Sequence, residues 1–204
     1  MGADFERAKD FALGRLANEL APWLTYHSLR HTRDDVLPAA LRLAQAAQVD
    51  DSDLLCLATA AVFHDLGFII AYDDHEAHGI FLARGALPEF GYSVAQVDTV
   101  AALIAATKMP QSPTTPLAEL LCDADLDVLG REDFWAINRQ LLAETEHYQG
   151  RAISEAEWLN GQANFLAEHR FFSPIARQLR DPGKLRNLAL TRHALAGLNG
   201  TSEH

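Results

Sequence analysis

Histidine and aspartate recur at four places in the sequence where a plain helical core would not need them. The first is Tyr26–Thr32 (YHSLRHT), where His27 and His31 are four residues apart. On a helix they share one face, separated by roughly 6 Å of rise, and both could border one cavity. A pair of surface histidines at the start of a helix is the plainer alternative.

The second place is His64–Asp65, which ends the apolar run Leu54–Phe63. A helix that is apolar on nearly all sides is a buried helix, so this pair places an imidazole and a carboxylate at the edge of a core. A buried carboxylate is costly unless it is paired or bound to a cation. Adjacent helical side chains diverge by roughly 100°, so both can face one ion only with help from the helix end. A helix terminus that faces water is the alternative.

The third place carries three aspartates in Cys122–Gly130 (CDADLDVLG), and they are not equivalent. Asp123 and Asp127 share a face that we expect to be the wetter one. Asp125 instead lies on the apolar stripe, three or four residues from Leu121, Cys122 and Leu129. A carboxylate on that side needs a metal, an arginine or several donors, which makes Asp125 the preferred metal ligand.

The fourth place is Asp73–His78 (DDHEAH), which opens a predicted helix. Acidic residues in a first turn are expected from capping and the helix dipole, although His75 and Glu76 could also line a cavity. Lys108 precedes the loop KMPQSPTT and is a candidate for phosphate contact; its alternative is a lysine favoured by the dipole at a helix end.

Helical periodicity runs through nearly the whole chain, and strand signals are almost absent. Ser93 with Gln96 and Ser154 with Glu157 resemble capping boxes, and Thr115 precedes a proline suited to a first helical position. Pro38 should kink or interrupt its helix. The sequence therefore predicts an all-α protein of eight to nine helices, at about 4–21, 31–48, 52–66, 74–87, 94–107, 116–129, 132–146, 155–168 and 174–196.

Composition limits the function classes. The 204 residues are 49% hydrophobic, and 17 basic against 28 acidic side chains give a net charge of −11. Such a charge disfavours nucleic-acid backbones and anionic membrane surfaces. No apolar run approaches the roughly 20 residues of a membrane span, and no secretory signal is visible. Cys56 and Cys122 indicate buried thiols in a reducing compartment. We expect one domain over 1–204, in the cytoplasm.

The segment 170–192 departs from this balance, with six basic side chains and one acidic one. A solvated helix face paired with acidic neighbours is the preferred interpretation. A rim that steers phosphate, with Arg177, Lys184 or His169 near its mouth, is the alternative.

In this order, the motifs YHSLRHT, FHDLG and CDADLDVLG resemble the HD superfamily of metal-dependent phosphohydrolases. The resemblance covers about residues 20–130, and HEAHG, AATK and a stretch from Glu157 to Lys184 extend it loosely to a bacterial subgroup of uncharacterised HD hydrolases. It implies an HD-domain-like helical bundle with the metal core at about 20–130 and C-terminal helices at 131–196. It assigns one divalent metal to four ligands: His31, His64, Asp65 and Asp125.

The pattern Tyr-His-x-x-x-His is also similar to that of the cyclic-nucleotide phosphodiesterases, which implies that His27 protonates the leaving oxygen. Asp65 would orient or deprotonate the attacking water as well as bind the metal, and Lys108, His75 and Glu76 would contact substrate. The implied function is hydrolysis of a phosphate ester, of a nucleotide or a related small phosphorylated metabolite. Two histidines and two carboxylates suit Mn, Fe, Co, Ni or Zn.

Dinuclear members carry further histidines after the His-Asp pair, whereas Thr107 and Lys108 stand in that region here. We therefore expect one tight metal and a second site that is weak or absent. Two other functions remain open: an HD-fold di-iron oxygenase, and a non-enzymatic, metal-stabilised ligand-sensing module. The substrate and the oligomeric state are not fixed by the sequence.

Overall fold

The computed structural model describes residues 2–200, with side chains to residue 198, and this part of the chain contains helices and no strand. The predicted all-α class is confirmed. Within these residues there are nine α-helices: α1 Phe5–Glu19, α2 Leu37–Ala47, α3 Asp51–Phe63, α4 His75–Ala86, α5 Val94–Ala106, α6 Pro116–Asp125, α7 Phe134–Gln149, α8 Glu155–Glu168 and α9 Pro174–Gly200.

Shorter helical turns join these elements. A π-helical turn, His31–Val36, leads directly into α2, and Pro38 lies just after the change from π to α geometry. Three 3-10 turns follow: Leu66–Ile69, Leu87–Phe90 and Asp127–Gly130. The helix predicted at 116–129 is therefore two pieces, because α6 ends at Asp125 and the chain continues in the last of these turns.

The chain divides into two compact units, residues 1–126 and 127–204, where the sequence predicted one domain. The division falls within four residues of the predicted end of the metal core. The chain passes from α6 directly into a 3-10 turn at this point, and one domain over 1–204 stays a prediction.

Helix α3 forms the centre of the first unit. Every residue from Cys56 to Phe63 is buried, and α3 packs against α1, α2, α5 and α6. By length and composition alone, Asp51–Ile69 is one candidate to cross a membrane. Since 72% of that stretch is buried inside the fold, it is consistent with the core helix of a soluble protein.

The helices around α3 begin where the sequence predicts. Ser93 and Gln96 form a complete capping box at the start of α5. The Thr115 side chain accepts a hydrogen bond from the Ala118 backbone, with Pro116 at the first position of α6. These caps satisfy backbone N–H groups that a helix leaves without partners, and so fix where α6 begins and where its C-terminal Asp125 falls.

In the second unit, α9 packs against α8 and against the turn Asp127–Gly130. The Arg180 guanidinium donates to both carboxylate oxygens of Asp127, at 2.7 and 2.8 Å. Asp127 is 4% exposed, so the prediction of a wetter face is wrong for this residue: the arginine compensates its burial.

Lys184 is also buried in this unit, at 4% exposure. Its ammonium group donates to the His169 carbonyl at 2.8 Å and lies 3.4 Å from Asp181. Arg177 donates to the Phe171 carbonyl. A buried ammonium group cannot attract substrate from solvent, so Lys184 does not belong to a rim that steers phosphate.

Candidate metal centre

His31 sits where the chain enters its second long helical segment. The Ser28 side chain accepts a hydrogen bond from the His31 backbone N–H at 3.4 Å, and the π-helical turn follows. His27 precedes this helix in an irregular bend, so the two histidines do not share a helix face as predicted. Their rings nevertheless lie 6.1 Å apart between centroids, which keeps His27 beside the site.

His64 and Asp65 follow the end of α3. His64 retains helical backbone angles, whereas Asp65 leaves them at φ −97° and ψ 2°. This change explains how two adjacent side chains face the same point. The His64 Nδ1 atom lies 2.9 Å from the Ala61 carbonyl oxygen, which can only accept, so Nδ1 donates this hydrogen bond and Nε2 is the ring atom that faces Asp65 and Asp125.

Asp125, the last residue of α6, faces these residues from a distant part of the sequence. Its Oδ1 atom lies 3.4 Å from His31 Nε2 and 3.5 Å from His64 Nε2. Asp65 Oδ2 lies 3.6 Å and 3.2 Å from the same two nitrogens. Oxygen and nitrogen ligands held about 2.1 Å from one tetrahedral ion are roughly 3.4 Å apart, so these spacings fit a single metal ion.

The imidazoles and carboxylates of this group are stable together only with a cation, a proton or a metal ion, between them. His64 Nε2 and Asp65 Oδ2 are both buried and neither makes a hydrogen bond to a described residue. Burial lowers the pKa of His64, but the facing carboxylates of Asp65 and Asp125 outweigh it and raise that pKa well above its usual value. Burial raises the pKa values of the two carboxyls, and the histidines outweigh it and hold them well below the usual range. A lone pair that faces two carboxylates is stable only with a proton or a metal ion between them.

The buried group of His31, His64 and Asp65 could therefore hold a metal ion. Imidazole and carboxylate ligands suit a divalent transition metal.

A second layer of side chains adjoins Asp65 on the opposite oxygen. His75 Nε2 lies 3.8 Å from Asp65 Oδ1 and 3.4 Å from Glu76 Oε1. The Phe68 ring stacks on His27 at 4.4 Å and on His75 at 3.8 Å. His75 and Glu76, the two residues of α4 predicted to contact substrate, thus lie beside the site. Phe68 also lines it, and no feature of the sequence indicated that residue.

Lys108 lies at the start of the loop after α5 and is exposed. Its ammonium group donates to Asp74 Oδ1 at 2.5 Å, next to the start of α4. The H-bonded carboxylate raises the pKa of Lys108, so the charge is retained. The same loop brings Gln111 to Asp125, a contact that no spacing in the sequence indicated.

Asp123 is 1% exposed, so the prediction that it lies on a wetter face is wrong. The predicted apolar stripe selected Asp125, whose Oδ1 atom faces the histidines, although the Asp125 side chain is 18% exposed and is less buried than Asp123 and Asp127. It did not predict that Asp123 would also be enclosed, because the prediction assumed that one face of α6 is open to water, whereas all but the first residues of that helix are largely covered.

No family model, no curated protein and no solved structure matches this chain.

Proposed function

We propose that the protein is a metal-dependent phosphohydrolase of the HD type, which cleaves the phosphate ester of a nucleotide or a related small phosphorylated metabolite in the cytoplasm. The observation that carries the proposal is the convergence of the buried His64 Nε2 atom with Asp65 and Asp125 oxygens at 3.2 and 3.5 Å. The order of these residues along the chain, with His31 first, is the order that the HD resemblance implies.

Four residues would hold the metal: His31, His64, Asp65 and Asp125. A divalent ion of Mn, Fe, Co, Ni or Zn bound there would activate water and polarise a phosphoryl oxygen. A second, more weakly bound ion would have His75, Glu76 and the Oδ1 atom of Asp65 as its ligands. That oxygen, Oδ1, is also free to orient the attacking water or accept its proton.

His27 would protonate the leaving group. Its ring is held by stacking on Phe68 and lies 6.1 Å, centroid to centroid, from both His31 and His75. It is half-buried, so one edge remains accessible to substrate. A histidine so placed, close to but apart from the ligands, suits a general acid for a departing alkoxide.

A small anionic substrate needs local positive charge, since the whole chain carries −11. Lys108 would supply it, from a position beside Asp74 at the start of α4. The same net charge disfavours a nucleic-acid partner.

The first experiment is elemental analysis of gently purified protein, with Asp125→Ala beside wild type. Asp10→Ala is the matched control, because Asp10 is exposed on α1. We expect about one transition metal per wild-type chain and per control chain, and loss of metal from Asp125→Ala.

A screen of phosphomonoesters, cyclic diesters and pyrophosphates then tests the reaction. Phosphatase activity that survives in a His31→Ala, Asp125→Ala double variant would refute the metal-hydrolase proposal. Two irons per chain would favour the oxygenase, and metal without turnover of any ester would favour the ligand-sensing module.

A further inference from the structure

Gln111 connects the loop after α5 to the outer oxygen of Asp125. Its Nε2 donates to Asp125 Oδ2 at 3.1 Å and to the Cys122 carbonyl at 3.4 Å. The inner oxygen of Asp125, Oδ1, faces His31 and His64. The two oxygens of this carboxylate therefore have separate partners.

The orientation of the Gln111 amide follows from those partners. The Cys122 carbonyl carries no proton and can only accept, and the Gln111 atom that lies 3.4 Å from it is the same atom that lies 3.1 Å from Asp125 Oδ2. The NH₂ group must then face them, and Oε1 must point elsewhere. Oε1 is buried and makes no hydrogen bond to any residue from 2 to 198.

This unpartnered oxygen is close to the candidate metal centre. The oxygen and nitrogen of an amide are roughly 2.2 Å apart, so Oε1 lies within roughly 5.3 Å of Asp125 Oδ2. Buried acceptors are nearly always satisfied, by protein or by water, so Oε1 is able to accept a hydrogen bond from a water molecule beside Asp125.

The loop that carries Gln111 is fixed at its base. The Ser112 backbone N–H donates to the Ala106 carbonyl at 3.3 Å, and the Cys122 thiol donates to the same carbonyl at 3.2 Å. One carbonyl at the end of α5 thus joins the loop to α6. The amide is held against Asp125 by the fold and not by chance contact of a mobile side chain.

We propose that Gln111 is a positioning residue of the metal centre: its NH₂ group holds Asp125 through Oδ2, so that Oδ1 points at the cation, and its Oε1 accepts a hydrogen bond from water in the site. Partners of this kind orient metal ligands and strengthen binding. The inference rests on the metal centre of the proposed function and is independent of which reaction the centre performs.

The test uses Co²⁺ alone, with affinity measured by chelator competition and coordination followed by the visible absorption of Co²⁺. Gln111→Met preserves the length of the side chain and removes both polar groups. Gln45→Met is the control, because Gln45 is exposed on α2. We expect Gln111→Met to bind Co²⁺ 10- to 100-fold more weakly, with an altered absorption band, and roughly the wild-type melting temperature without metal.

Gln111→Asn keeps the amide but is one methylene too short to reach Asp125, and serves if the methionine variant does not fold; the same loss is expected. Co²⁺ affinity within about twofold of wild type in either variant would overturn the inference. Wild-type protein that binds no Co²⁺ would overturn the metal centre together with it. Co²⁺ binding by wild type without hydrolysis of any ester would refute the proposed reaction alone.

Discussion

Gly67 lies in the 3-10 turn after the His64–Asp65 pair, where it meets the start of α4. A Cβ atom at this position would lie 1.8 Å from the His75 carbonyl oxygen and 2.6 Å from the Gly79 backbone nitrogen. A carbon and a carbonyl oxygen need roughly 3.3 Å. Gly67→Ala must therefore move two backbone segments apart by roughly 1.5 Å, in a region where every neighbour is packed.

We expect Gly67→Ala to lower the free energy of unfolding by about 3 kcal/mol, at the upper end of the overpacking range, because backbone cannot rotate away as a side chain can. For a protein of this size that is a melting temperature roughly 6–12 °C lower. Thermal unfolding followed by circular dichroism measures it.

Gly85→Ala, near the other end of α4, is the matched control for a glycine-to-alanine change. Gly85 is inside α4, and a Cβ there would have nothing within 4 Å. Alanine in a helix interior is favoured over glycine by about 0.5–1 kcal/mol, so this variant should melt slightly higher than wild type. If Gly67→Ala melts within about 1 °C of wild type, the close approach of this turn to α4 is refuted.

Three further substitutions test other contacts. His27→Asn should reduce ester hydrolysis by about 10²-fold or more while the metal content stays at the wild-type level; unchanged kcat would remove His27 from the reaction. Burial, then the Lys184 charge, lowers the pKa of His169 to about 4. In the unfolded chain this histidine takes up a proton near pH 6.5, whereas in the folded protein it stays neutral down to about pH 4. The free energy of unfolding should therefore fall by roughly 1–2 kcal/mol between pH 6.5 and pH 4, a figure reduced for the partial exposure of the ring. In urea titrations across this range, His169→Asn should lack this part of the pH dependence. Arg180→Ala should cost about 3 kcal/mol by removing the guanidinium that compensates the buried Asp127 carboxylate, and adding Asp127→Asn should restore part of it; a double variant no more stable than the single one would contradict this.

The sequence alone predicted the all-α class and the starts of helices such as α5 and α6, since apolar periodicity and capping residues such as Ser93 and Thr115 are local signals. It did not predict the π-helical turn at His31–Val36 or the end of α6 at Asp125. It also selected Asp125 among three aspartates, because a helix-face argument needs only the residues three and four positions away.

What the sequence could not predict depends on contacts between distant segments. Asp127 is buried because Arg180 lies against it, 53 residues away. Gln111 reaches Asp125 because Ser112 and Cys122 bind one carbonyl. Neither contact leaves a pattern in the spacing of nearby residues.

The π-helical turn at His31–Val36 changes the angle about the helix axis between His31 and the buried face of α2. At 3.6 residues per turn, His31 would lie roughly 120° around the axis from Leu43, twelve residues later. Both are nevertheless buried, at 5% and 1% exposure. A π segment is underwound relative to an α-helix, and six such residues turn His31 back toward the face of Leu43. The π-helical turn thus changes the rotation of the chain about the helix axis, so that α2 keeps its buried face while His31, at the start of the turn, faces the candidate metal centre.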